Sequence, residues 1–216
     1  AIDEYQERSA KSDKKINALI NKLSKSSTPK GLWGWWEQST HSWWISLHVL
    51  EALTQAREMG YKTGFDKSTV TDYLLWKLSD ANSVGDKLRM LKVLKTLGAN
   101  VNYPAFINDL DTAKLSSLHQ LLQLIELKQL CKLNVATDTV QHYANYTMMG
   151  NLYFDQHERE SSLLNNAIEN TLLAYKIIRA DSSGREADLW KMIGFLLEQK
   201  RQGHWANTYQ SARIIE

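Results

Sequence analysis

The chain has a single cysteine, Cys131, which excludes an intrachain disulfide and any zinc site built from several cysteines. Apolar runs are short as well. None approaches the roughly 18 residues needed to span a bilayer, and the opening Ala1-Ile2-Asp3-Glu4-Tyr5 lacks the basic and then apolar segment of a secretory leader. Excess charge of either sign is missing too: the net charge is +2, with lysines interspersed among acids. The basic stripe of a nucleic-acid binder is therefore absent, and Lys11-Ser12-Asp13-Lys14-Lys15 reads as a solvated helix face. Proline occurs only twice and glycine ten times in 216 residues, so helix breakers are sparse. What is abundant is apolar material, 43% of the chain, enough for one domain with a large buried core. The start at Ala1, and an end at Ile214-Ile215-Glu216 inside a helical pattern, are those expected of a piece cut from a larger protein.

Helical periodicity dominates the chain. A first helix is expected over about residues 5–24, with Ile16, Leu19, Ile20 and Leu23 on one face, broken by Ser26-Ser27-Thr28-Pro29. A second, about 43–59, carries Leu47, Leu50, Leu53 and Ala56 and stops at Gly60; a third follows a cap at Asp66 or Ser68 and buries Val70, Tyr73, Leu74 and Leu78. Further helices are expected at about 84–97, 103–111, 115–132, 137–147, 161–179, 186–201 and from 206 onward. No run of alternating strand residues stands out. Short connections between so many helices suit an all-α fold of stacked hairpins, either an open solenoid or hairpins closed into a ring.

One segment departs from this regularity. Gly31-Leu32-Trp33-Gly34-Trp35-Trp36-Glu37-Gln38-Ser39-Thr40-His41-Ser42-Trp43-Trp44 holds five of the eight tryptophans and runs directly into a helix. A Gly-aromatic turn feeding a helix returns as Gly203-His204-Trp205-Ala206-Asn207-Thr208-Tyr209, and a looser copy is expected at Gly150-Asn151-Leu152-Tyr153-Phe154. In such a turn glycine permits the tight bend while the indole covers the start of the next helix. Five indoles in so short a stretch exceed what one loop can bury, so Trp35, Trp36 and Trp43, with Glu37 and His41, form a candidate interaction surface.

The sequence Gly-x-Trp-Gly-Trp-Trp, a polar turn, and a helix ending in Glu51-Ala52-Leu53, Ala56 and Gly60-Tyr61 resembles the thioester-domain region of alpha-2-macroglobulin family proteins, especially the large bacterial ones. Leu196-Leu197-Glu198-Gln199-Lys200-Arg201-Gln202-Gly203-His204-Trp205 resembles the same family's final hairpin. The resemblance covers roughly residues 12–216. It implies an α/α toroid of the terpenoid cyclase and protein prenyltransferase type, here an incomplete ring, with residues 1–216 a single-domain fragment whose first part would lie upstream of Ala1. It further implies a non-catalytic part of a bacterial protease inhibitor that entraps an endopeptidase after cleavage of a bait segment elsewhere. The expected setting is extracytoplasmic, in the periplasm or cell envelope of a Gram-negative bacterium. The expected partners are neighbouring domains of the parent protein and target proteases, with no nucleic acid, no cofactor, and membrane contact only through an anchor outside this chain.

The family's reactive centre is a Cys-Gly-Glu-Gln type segment, in which thiol and glutamine condense to an internal thioester. That chemistry needs both partners within a tight loop. Here the lone thiol begins Cys131-Lys132-Leu133-Asn134, which is not that segment, and its place after Leu124, Leu127 and Leu130 predicts a buried, inert side chain. Some family members use a histidine ahead of the helix corresponding to Ser46–Ala56. His41 lies near that position, where it either caps the helix or stays in solvent, and His48 is expected to pack within the helix. His119, His142, His157 and His204 have no i, i+4 metal-binding partner. Toroid enzymes offer the alternative of a glycan or isoprenoid substrate: Asp109-Leu110-Asp111 is the nearest carboxylate pair, read as a solvated helix end, and Trp35, Trp36, Trp43 and Glu37 could line an aromatic groove. A helical-repeat interaction module without inhibitor function is the third reading.

Overall fold

The computed structural model describes residues 2–36, 39–110, 115–135, 137–156, 166–181, 184–200 and 203–215, with backbone alone at 2–11 and 137–138. Glu37, Asp111 and His157, together with the stretch 161–165 of an expected helix, lie outside the described residues. Among those described, nine α-helices and one two-stranded sheet account for the regular structure, so the chain is essentially all-α. It divides into two compact units, Ala1–Val101 and Asn102–Glu216.

The first unit holds α1 (Ile2–Lys25), α2 (Trp43–Glu58), α3 (Lys67–Asp80) and α4 (Val84–Thr96). Local chemistry sets their limits. Asp66 caps α3 by accepting from the Ser68 and Thr69 amides, and Ser83 caps α4 by accepting from the Asp86 amide. Helix α2 closes at Gly60 and α4 at Gly98, both at positive φ, where the following amides bond back to Ala56 and Leu94. Helix α4 packs on both α2 and α3 and buries Leu88, Arg89, Met90, Leu91, Val93 and Leu94, most of its circumference. Against it lie Leu47, Leu50 and Leu53 of α2 and Val70, Leu74 and Leu78 of α3, all at helical spacing. On α1 the expected apolar face is narrower: Ile20 is buried and Ile16 and Leu23 half-buried, while Leu19 points to solvent at 62% exposure.

The second unit holds α5 (Tyr103–Asp109), α6 (Leu118–Leu130), a 3-10 turn (Thr137–Tyr143), β1 (Ala144–Tyr146), β2 (Leu152–Phe154), α7 (Ala167–Ala180), α8 (Glu186–Glu198) and α9 (Thr208–Ile215). Helix α7 is its centre and packs on α6, α8, α9 and β2. The core joins Leu118, Leu122 and Ile125 of α6 to Leu173, Ile177 and Met192, with Leu152 and Phe154 inserted from the sheet. Leu121 is only half-buried at its edge.

Two expectations about the secondary structure of this unit fail. Residues 137–147 are not a helix but a 3-10 turn followed by β1, and Gly150–Phe154 is no third Gly-aromatic turn. Instead, antiparallel pairing of Ala144 with Phe154 and of Tyr146 with Leu152 makes a hairpin. The physical reason lies in Leu152-Tyr153-Phe154. Its alternation buries Leu152 and Phe154 on α7 while the Phe154 amide donates to the Thr171 hydroxyl at 3.0 Å. Gly150, at φ +79°, supplies the bend, and Thr147 Oγ1 accepts from the Met149 and Asn151 amides across it. The hairpin tip is fastened to α8, since Thr147 and Asn151 both donate to the Glu198 carboxylate. Gly194 of α8 allows the approach, because a Cβ there would collide with the Asn151 side chain.

Candidate functional site

The tryptophan segment of the first unit is an ordered turn built around Trp33. Its indole N–H donates to the Leu23 carbonyl at 2.7 Å, its amide donates to Ser46 Oγ at 2.9 Å, and Ser46 Oγ donates back to its carbonyl at 2.9 Å. Trp33 is 2% exposed, and Ser46 is fully buried on the first turn of α2. Gly31 enters the turn at φ +69°, with Val70 Cγ2 only 3.0 Å from where a Cβ would stand. Gly34 is wrapped so closely by Ser39 and Thr40 that no side chain fits. Ser39 then ties the loop by bonding the amide and carbonyl of Trp36.

This construction holds two indoles outward. Trp35 is 63% and Trp36 78% exposed. Trp35 lies flat on Trp44, with centroids 5.6 Å apart and planes 9° from parallel, and Trp44 in turn contacts the His48 ring. A second stack stands beside the start of α2: Trp43 on Tyr73 at 5.6 Å and Tyr73 on Trp76 at 5.4 Å, with His41 edge-on to both Trp43 and Tyr73. His41 is thus half-buried in an aromatic corner, its Nε2 3.5 Å from the Tyr73 hydroxyl. His48 packs as expected, with Nδ1 2.8 Å from Nη2 of the buried Arg89.

Of the residues singled out in the sequence, His41 and Trp43 join the stack on Tyr73, Trp35 belongs to the separate stack on Trp44, and Trp36 stands exposed next to it in sequence. Sequence reasoning missed the part contributed by α3. Tyr73, Trp76, Lys77 and Asp80 follow the i, i+3, i+4, i+7 spacing of one helix face, and this was the signal that could have found them. Lys77 donates to Asp80 at 2.6 Å, and that bond and charge hold the Asp80 carboxyl below its ordinary range. The same ammonium lies 6.0 Å from the Trp43 centroid and 5.8 Å from that of Trp76, and Lys30 lies 5.4 Å from that of Tyr73. Between the ends of α2, α3 and α4 opens a cavity of about 400 Å³.

In the second unit Cys131 is half-buried at the C-cap of α6, not buried as expected, because the chain turns away there and Lys132 takes a left-handed φ of +56°. Lys132, Leu133 and Asn134 follow it, so no glutamine stands where the Cys-Gly-Glu-Gln order of a thioester segment would put the acyl donor. Tyr103 is pushed up to about 12, chiefly by burial and then by the charge of Cys131. Glu169, on the first turn of α7, is raised by burial against the pull of Arg213 and Lys176. Among the described residues no group of three or more His, Cys, Asp and Glu side chains could hold a metal ion, and no helix is long and apolar enough to cross a membrane.

The Gly-x-Trp repeat has a physical counterpart in this unit. Trp205 Nε1 donates to the Leu196 carbonyl at 2.8 Å, two residues after Gly203 at φ +87°. Leu23 and Leu196 are each the third residue from the end of their helix. No protein-family model matches the chain, and no curated protein matches it.

Proposed function

We propose that the chain is a non-catalytic part of a bacterial alpha-2-macroglobulin-type protease inhibitor, built on the α/α-toroid plan and lacking the thioester segment. The observation that carries this reading is the paired Gly-x-Trp turn. Glycine at positive φ followed two residues later by an indole that caps the third-last carbonyl of the preceding helix occurs once in each unit, on the same residues that carry the family resemblance. Helices that pack on their near neighbours around α4 and around α7 suit stacked hairpins of a partial ring. In this role the domain turns nothing over. It is a stiff body that moves when the bait is cut, and Trp35, Trp36, His41 and Trp43 are the anchors for a neighbouring domain of an extracytoplasmic parent.

The test uses the full-length parent mixed with trypsin. A trapped protease keeps its activity on a small chromogenic peptide and loses it on a large protein substrate. Equal activity on both, or loss of both, would overturn the proposal. The chain itself should be inert to methylamine, its mass unchanged and its only titratable thiol that of Cys131. A methylamine-dependent mass gain would mean that a thioester exists after all.

A further inference from the structure

The cavity at the ends of α2, α3 and α4 is amphiphilic in a way that selects its occupant. One wall is apolar, formed by the half-buried Trp43 with the buried Leu47 and Met90 behind it; the rim carries Lys77, Asp80, Asn82 and Asp86. A cationic ligand would find its place taken, because Lys77 already bonds Asp80 and sits near the rings of Trp43 and Trp76. An anion would meet two carboxylates. Asp86 lies in the first turn of α4, where the backbone dipole offsets its charge, so the rim is close to neutral overall. What remains is an uncharged molecule with an apolar face, whose edge both donates to carboxylates and accepts from an ammonium and an amide. Hydroxyl groups do both with one atom. A pyranose ring is such a molecule, with C–H bonds on its face and hydroxyls around its edge, and a cavity of this size lies within the common range for small ligands.

We propose that this cavity is a binding subsite for one uncharged pyranose unit of a glycan. Its ring lies against Trp43, the accessible part of that wall, and its hydroxyls bond Asp80, Asp86, Asn82 and Lys77. Trp76 is 59% exposed, stacked on Tyr73 and one turn before Asp80 on the same helix, so the next sugar of the chain runs over its indole. The site binds without cleaving, and it stands independently of the inhibitor reading.

The indole N–H signals of the eight tryptophans make a built-in readout by NMR. The protein is titrated separately with cellotetraose, maltotetraose and the N-acetylglucosamine tetramer, each to about 20 mM, where even a weak millimolar site fills. At least one should shift the Trp43 and Trp76 indoles and the amides of 82–86 saturably, leaving Trp190 and Trp205 unmoved. Asp86→Asn should weaken that binding about tenfold, as expected for one charge-assisted hydrogen bond. Asn82→Ala, at an exposed position that does not endanger folding, should weaken it as well. No saturable shift with any of the three sugars overturns the proposal. So does a shift of the same signals by choline chloride alone, which would make the site a cation cage, or full binding by both variants.

Discussion

Two turns in this molecule use one device in different surroundings. Trp33 and Trp205 each follow a left-handed glycine by two residues, and each donates its indole N–H to the third-last carbonyl of the helix before it. Around Trp33 the protein closes completely, and the buried Ser46 hydroxyl takes both the amide and the carbonyl of the same residue. Around Trp205 it stays open: the ring is half-buried, with Lys200 lying 4.6 Å from its centroid. The same hydrogen bond should therefore matter more in the first turn, since an unsatisfied carbonyl costs most where water cannot replace the lost donor.

The sharpest way to break this comparison is to remove both rings. Trp33→Ala should cost about 3–5 kcal/mol in a denaturant titration, and Trp205→Ala about 2 kcal/mol, in keeping with half the burial. Equal losses would show that burial does not distinguish the turns. Next comes Ser46→Ala, which strands the Trp33 amide, leaves its carbonyl to the Ser42 amide alone and should cost about 2 kcal/mol. An unchanged midpoint would mean that water replaces the hydroxyl. The glycines give a finer test. Gly203→Ala faces open space and should cost only the left-handed backbone penalty of about 1 kcal/mol, whereas Gly31→Ala meets Val70 as well and should cost more. The smallest effects belong to the exposed indoles. Trp35→Ala loses a stacking partner, about 1 kcal/mol, and Trp36→Ala should stay within about 0.5 kcal/mol. Acrylamide should quench both more readily than Trp33; shielding of the pair would show that the turn is ordinary core.

Much of the helical layout was legible because its signals are local. The Asp66 and Ser83 caps, the Gly60 and Gly98 stops and the Leu47, Leu50, Leu53 stripe each act within a turn or two of where they are read. The hairpin was not legible. Its strands are three residues each, shorter than any run that alternation can establish, and they are held by Thr171 and Glu198, which lie far along the chain. Among the aromatics, Trp35, Trp36, His41 and Trp43 were conspicuous in the sequence, but Tyr73 and Trp76 join His41 and Trp43 only through the packing of α3, which places distant residues face to face. Leu19 was misplaced for the reverse reason: periodicity proposes an apolar face, and how much of it is covered depends on what happens to lie alongside.

The contact of Gly194 with Asn151 binds two stretches of sequence into one unit of inheritance. No residue larger than glycine can stand at 194 while the asparagine holds its place, and Asn151 in turn is one of the two side chains, with Thr147, that join the hairpin to Glu198. A drift toward alanine at the helix would have to wait for a smaller residue at the loop, and that smaller residue would surrender the bond to Glu198. Neither single step is neutral, so among descendants of this chain these three positions should change together or not at all.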